Sequence, residues 1–169
     1  MKKVFVLVIF VLFISNNIKA QAKQDIDSTA NNNIYLEILG NGFFYSLNYE
    51  RFFSRNFSVR GGIMIFPASG TSEEGHTLDI TILIFPIMAN YLINFGNHNI
   101  ELGIGPNLFY ASGNTDVAGD FSGFAVGATA RIGYLYYPTD GGFNIRFAYT
   151  PILSEVFTHS IGLGIGYSW

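Results

Sequence analysis

A chain of 169 residues with no cysteine cannot use disulfides or thiol chemistry. Only 12% of its residues are charged and 17% are aromatic, whereas about 25% charged is usual in a soluble domain. The formal charge is −3 and Lys23 is the one lysine beyond residue 20, which excludes the phosphate-neutralising surface that nucleic acid requires.

The first residues give an address. Lys2 and Lys3 precede an unbroken apolar run from Val4 to Ile14, and a polar stretch then ends in Ala20-Gln21-Ala22. This order predicts a secretory signal peptide over residues 1–20, cut after Ala20 or after Ala22. The apolar run is too short for a spanning helix, which needs about 20 residues. Loss of Lys2, Lys3 and Lys19 leaves the remainder three charges more negative. Residues 21–33, rich in Gln, Asp and Asn, read as a flexible segment ahead of a domain over 34–169.

That domain alternates large apolar residues with small or polar ones, the period of a strand. Strands are expected near 34–40, 43–53, 57–67, 78–94, 99–111, 123–137, 143–152 and 158–169. In the fifth, Ile100, Leu102, Ile104, Leu108 and Tyr110 alternate with Glu101, Gly103, Gly105 and Asn107. In the seventh, Phe143, Ile145, Phe147 and Tyr149 alternate with Asn144, Arg146, Ala148 and Thr150. The fourth changes phase near Pro86, which suggests a bulge, because proline cannot donate in a central ladder. Asn41-Gly42 reads as a tight hairpin, and 68–77 and 112–122 read as longer polar outer loops. Their acids, Glu73, Glu74, Asp116 and Asp120, favour cationic partners.

An exported, apolar, aromatic-rich chain without a spanning helix has one remaining membrane solution, a closed barrel. The expected fold is all-β, an eight-stranded antiparallel transmembrane barrel in the bacterial outer membrane. Both termini then lie on the periplasmic side. The last eleven residues, from His159 to Trp169, supply its closing strand, with Ile161, Leu163, Ile165, Tyr167 and Trp169 on one face.

The alternation turns Glu37, Glu50, Arg60, Glu101, Arg131 and Arg146 inward. Three arginines and three glutamates in a narrow lumen are expected to pair, since an isolated buried charge costs several kcal/mol. They form either a salt-bridged plug or the lining of a narrow pore. Catalytic candidates are thin. His159 and Ser160 stand near Glu155, but adjacent strand residues point to opposite faces and cannot easily share a proton. His76 and His98 lack partners at metal-ligand spacing. The Gly103–Gly105 and Gly162–Gly166 repeats do not lead into a helix, as a phosphate loop must. No cofactor, metal or catalytic residue is assigned.

Two stretches carry a resemblance. The terminal Tyr167-Ser168-Trp169 looks like the signal read by the barrel-assembly machinery. The segment Leu39-Gly40-Asn41-Gly42-Phe43-Phe44-Tyr45-Ser46-Leu47-Asn48-Tyr49-Glu50-Arg51-Phe52 resembles one common in barrels of the Bacteroidetes. The chain is thus similar in architecture to the small OmpA-type outer-membrane barrels of Gram-negative bacteria. That resemblance implies outer-membrane lipid and the assembly machinery as partners, with Tyr167 and Trp169 as assembly residues. The expected role is non-enzymatic, in envelope structure or surface interaction. The alternatives are a narrow pore or carrier, or a lipid-modifying barrel enzyme.

Overall fold

The computed structural model describes residues 30–71, 76–117, 119–154 and 156–169. The expected signal peptide, Glu73, Glu74 and Glu155 lie outside the described residues. The elements run β1 (Asn32–Leu39), a 3-10 turn (Gly40–Gly42), β2 (Tyr45–Ser54), β3 (Phe57–Thr71), β4 (Thr77–Phe95), β5 (His98–Thr115), β6 (Gly119–Tyr136), β7 (Gly142–Leu153) and β8 (Phe157–Ser168). Every neighbour pair is antiparallel, and β8 pairs with β1 to close the barrel. Closure removes the sheet edges that lipid cannot satisfy. This is a transmembrane β-barrel.

Alternation decides which face each side chain takes. Exterior positions are apolar and open, as with Ile104, Phe143 and Ile165, while Glu101, Asn144 and Arg146 on the same strands are buried. Glycines line the inner face where large side chains must lie flat. A Cβ on Gly164 would come within 2.7 Å of Arg146 Cγ, and one on Gly162 within 2.6 Å of a Glu37 carboxylate oxygen. The seam closes on main chain: the Trp169 N–H donates to Asn32 O and the Asn32 N–H to Trp169 O, both at 3.0 Å. β1 therefore begins two residues earlier than the alternation predicts, and Ala30 is already packed inside the periplasmic rim.

Three expectations require correction. The pairing of β4 with β3 and with β5 keeps one register on both sides of Pro86, so there is no bulge there. The pattern only looked out of phase because Ile84, Pro86 and Met88 all face inward and are buried. The register shift falls instead between Phe52 and Ser54, at the turn into β3.

The segments 68–77 and 112–122 are mostly strand rather than loop. The β3–β4 ladder runs out to Thr71 opposite Thr77, and the β5–β6 ladder to Thr115 opposite Gly119. Gly119 turns the second hairpin with φ of 73°, a conformation open to glycine without steric cost.

Asn41-Gly42 does not make an external two-residue hairpin. Gly40, Asn41 and Gly42 form a 3-10 turn that is wholly buried in the barrel mouth. The flanking Leu39 and Phe43 carry φ of 62° and 65°, a left-handed conformation that costs a non-glycine residue of the order of 1–3 kcal/mol. Bonds made by the turn in the lumen offset that strain.

Candidate functional site

The barrel has two features that can carry function: its lumen and its outer end. All six charged residues that alternation turns inward meet in the lumen, on six different strands. Arg131 donates from its terminal nitrogen to Glu37 at 2.6 Å and from Nε to Glu101 at 2.9 Å. Arg146 reaches Glu50 at 2.7 Å and the other oxygen of Glu101 at 3.3 Å. Arg60 lies 3.6 Å from Glu37 and donates to the Tyr35 hydroxyl. These six side chains are fully buried. Three cations against three anions leave the cluster neutral, and each charge has an opposite within reach, which is the condition for keeping ions out of water.

Tyr35 is central to the cluster. The Arg146 guanidinium sits 3.8 Å from the centre of its ring, within the range of a cation–π contact. Polar side chains extend the network downward. The Ser58 hydroxyl donates to Glu50 at 2.6 Å, the Asn90 amide to Glu50 at 3.1 Å and the Asn144 amide to Asn33 at 2.8 Å. Tyr35 and Asn33 share the parity of Glu37 on β1, so alternation alone would have placed them there.

Both ends of the lumen are closed by side chains. At the periplasmic end Ala30, Phe52, Leu92, Leu135 and Tyr137 form a buried apolar layer, with the rings of Phe52 and Tyr137 4.5 Å apart. Toward the outer end the buried 3-10 turn acts as a stopper. Asn41 donates from its side-chain amide to Thr129 at 3.1 Å and to the Met88 sulfur at 3.0 Å, and its main-chain carbonyl accepts from Asn107 at 3.0 Å. Met64, Ile84 and Met88 are buried on the inner face of β3 and β4. Nothing in a hairpin signal announces a turn folded inward, so sequence reading missed Asn41.

The outer end is uneven. β3, β4, β5 and β6 have 15, 19, 18 and 18 residues, against 8 and 10 for β1 and β2 and 12 each for β7 and β8. About 9–11 tilted residues cross a bilayer, so the four long strands continue outward as a sheet beyond the rim of the short ones. On the convex face of this sheet, one row pairs Ile65, Leu83, Tyr110 and Phe124. The next pairs Pro67, Thr81, Ser112 and Ser122, and the one beyond it Ser69, Asp79, Asn114 and Asp120. The change from apolar to hydroxyl to acid marks where lipid gives way to water. The concave face stays apolar, through Phe66, Ile82, Ala111 and Gly123, then Ala68, Ile80, Gly113 and Phe121.

The remaining candidates do not converge. His159 faces outward, bonded to the Tyr149 hydroxyl and edge-on to Phe157, while Ser160 lies on the inner parity of β8. His98 contacts the Tyr134 hydroxyl at 2.6 Å on the periplasmic side. Among the described residues, no group of three or more His, Cys, Asp or Glu is placed to hold a metal. Tyr167 stands outside against Phe143, edge to face, and Trp169 is half exposed at the seam.

With this geometry in view, solved structures give the fold a context. The chain is similar to Ail, the attachment invasion locus protein of Yersinia pestis, at 15% identity and a TM-score of 0.51, over 82% of this chain and 99% of that one. A second structure of Ail, in complex with the heparin analogue sucrose octasulfate, gives 16% identity, a TM-score of 0.53 and coverage of 82% and 95%. The N-terminal β-barrel domain of Pseudomonas aeruginosa OprF gives 13% identity and a TM-score of 0.56, over 85% of this chain and all of that domain. No family model and no curated protein matches the sequence. The likeness is one of fold.

Proposed function

We propose that the protein is a non-enzymatic outer-membrane barrel whose lumen is a static plug and whose working part is the outer sheet. The observation that carries this reading is a charge-neutral lumen stopped at one end by Asn41 and its partners and at the other by the Phe52–Tyr137 layer. The pairing and burial of the lumen charges support the plug over the narrow pore. Export through a cleaved 1–20 leader, residence in outer-membrane lipid and insertion by the barrel-assembly machinery complete the proposal. The apolar exterior and the strand ending in Tyr167 and Trp169 support it.

The sheet also indicates what kind of ligand it serves. Beyond Lys23 the cations are Arg51, Arg55, Arg60, Arg131 and Arg146. Three are sealed in the lumen, and Arg51 and Arg55 lie at the β2–β3 turn on the periplasmic side. The outer end bears Asp79, Asp116 and Asp120 and no lysine or arginine. A polyanion of the heparin type, which Ail holds in one of its structures, has nothing to pair with here. The electrostatics favour cationic partners.

Single-channel recording tests the plug. Purified protein in planar bilayers should give no stable openings, and reproducible openings would overturn the reading.

A further inference from the structure

The outer sheet has two free margins, and they are not alike. On β3, the described ladder to β2 stops at Ile63. That margin is guarded: the Tyr45 hydroxyl donates to Ile65 O at 2.6 Å, Phe44 stacks on Phe66 with ring centres 4.7 Å apart, and Pro67 removes an N–H. Caps and edge prolines are how native sheets keep other strands away.

On β6 the ladder to β7 reaches outward only to Ala128 opposite Leu153, while β6 itself starts at Gly119 and is fully laddered to β5 on its other side. Among the described residues, 119–127 thus have no neighbouring strand on this side, and 119–123, above the apolar row that ends in Phe124, present their main-chain donors and acceptors to water. The segment Gly-Asp-Phe-Ser-Gly-Phe-Ala-Val-Gly contains no proline and no lysine. A Cβ added at Gly119 or Gly123 would meet nothing within 4 Å, so the concave face beside them is uncovered, whereas one at Gly127, at the foot of the margin, would come within 2.9 Å of Leu153 O.

We infer that the β6 margin above the lipid, residues 119–123, is a docking edge for an extended peptide segment of another protein, added as a further strand. This rests on the reading of the outer sheet as the working part. Main-chain pairing supplies affinity in such strand addition, and alternate side chains supply selectivity. Here the inner side chains of the added strand would lie along the apolar concave face beside Phe121 and Gly123. Its outer ones would lie beside Asp120, on a surface without cations. The matching segment therefore alternates apolar and basic residues.

Two other occupants are excluded by topology. The chain's own N-terminal residues leave the barrel at Ala30, on the opposite rim. A second copy in the same membrane is related by rotation about the membrane normal, so both β6 strands run inward. With barrel strands tilted by about 35–45°, the two margins cross steeply and cannot form a ladder.

The test uses the mature protein in phospholipid nanodiscs and the peptide Val-Lys-Val-Lys-Val, as long as the margin above the lipid. Binding should slow amide exchange within 119–123 and leave residues 66–71 of the β3 margin unchanged. An analogue with glutamate for lysine, and one with a central proline, should bind at least tenfold more weakly. Successive strand residues point their N–H groups to opposite sides, so one of Ser122→Pro and Gly123→Pro spares the β5 ladder. The variant that keeps the folded, heat-modifiable form should lose peptide binding at least tenfold. Absence of binding, equal binding of the glutamate analogue, protection elsewhere, or full binding by the folded proline variant would each overturn the inference. Channel recording separates the two claims: a silent barrel that ignores the peptide sinks the docking edge alone, and a conducting barrel that binds it sinks the plug alone.

Discussion

Glu101 receives Arg131 on one carboxylate oxygen and Arg146 on the other, at 2.9 and 3.3 Å. Arg60 has a looser place, 3.6 Å from a Glu37 that also holds Arg131. Removing one member of a buried ion pair typically costs about 3–5 kcal/mol, because the partner is left charged and dry. Glu101→Gln should therefore cost about that much, whereas Arg60→Met, which leaves Glu37 with its nearer arginine, should cost clearly less. Urea unfolding followed by the emission of Trp169, the single tryptophan, measures both, and equal losses would contradict the pairing. At this scale parity was enough to turn all six charges inward. Which carboxylate meets which guanidinium was not legible, because pairs such as Glu37 with Arg131 span strands whose relative heights depend on the whole register.

Among the elements, the two long hairpins of the outer sheet are tied together near their tips. Asp116 accepts from the Thr77 hydroxyl at 2.5 Å and from the Thr77 N–H at 2.9 Å. These bonds, the hydroxyl's first, hold its carboxyl below the ordinary aspartate value. A carboxylate with a lowered folded pKa contributes stability above its unfolded value and loses it as pH falls through the folded one. Protection of the Thr77 amide from exchange should be full at neutral pH and fall away in acid below the usual aspartate range. In Asp116→Ala it should be low throughout, and a pH-independent wild type would refute the link. The outer hairpins look like loops in the sequence for a physical reason. In lipid the exterior face must be apolar, but above it the same alternation continues with Asp120 and Ser122 outside and Phe121 and Gly123 inside. A pattern that reverses its polarity at the membrane surface looks like the end of a strand. The inward 3-10 turn was hidden differently, since Asn41-Gly42 suits either a surface hairpin or a buried stopper.

For the whole molecule, Trp169 ties the periplasmic end of the seam that closes the barrel. Trp169 exchanges main-chain hydrogen bonds with Asn32 and also accepts from the Asn31 N–H at 3.1 Å, so the final strand and the first are joined at their periplasmic ends. Deleting Trp169 should reduce the folded, heat-modifiable fraction in outer membranes severalfold, and an unchanged fraction would remove its role in assembly.

The balance of the lumen charges has an electrical consequence. A transmembrane potential acts on each elementary charge with about 2.3 kcal/mol per 100 mV, enough to drag a singly charged plug from its seat. Glu37, Glu50 and Glu101 are matched one for one by Arg60, Arg131 and Arg146, and cross-strand bonds lock them together. The field pulls equally in both directions on a body that cannot separate. If the lumen is the plug proposed above, such a barrel is blind to voltage, and the ionic differences that build up across an outer membrane leave it as it stands.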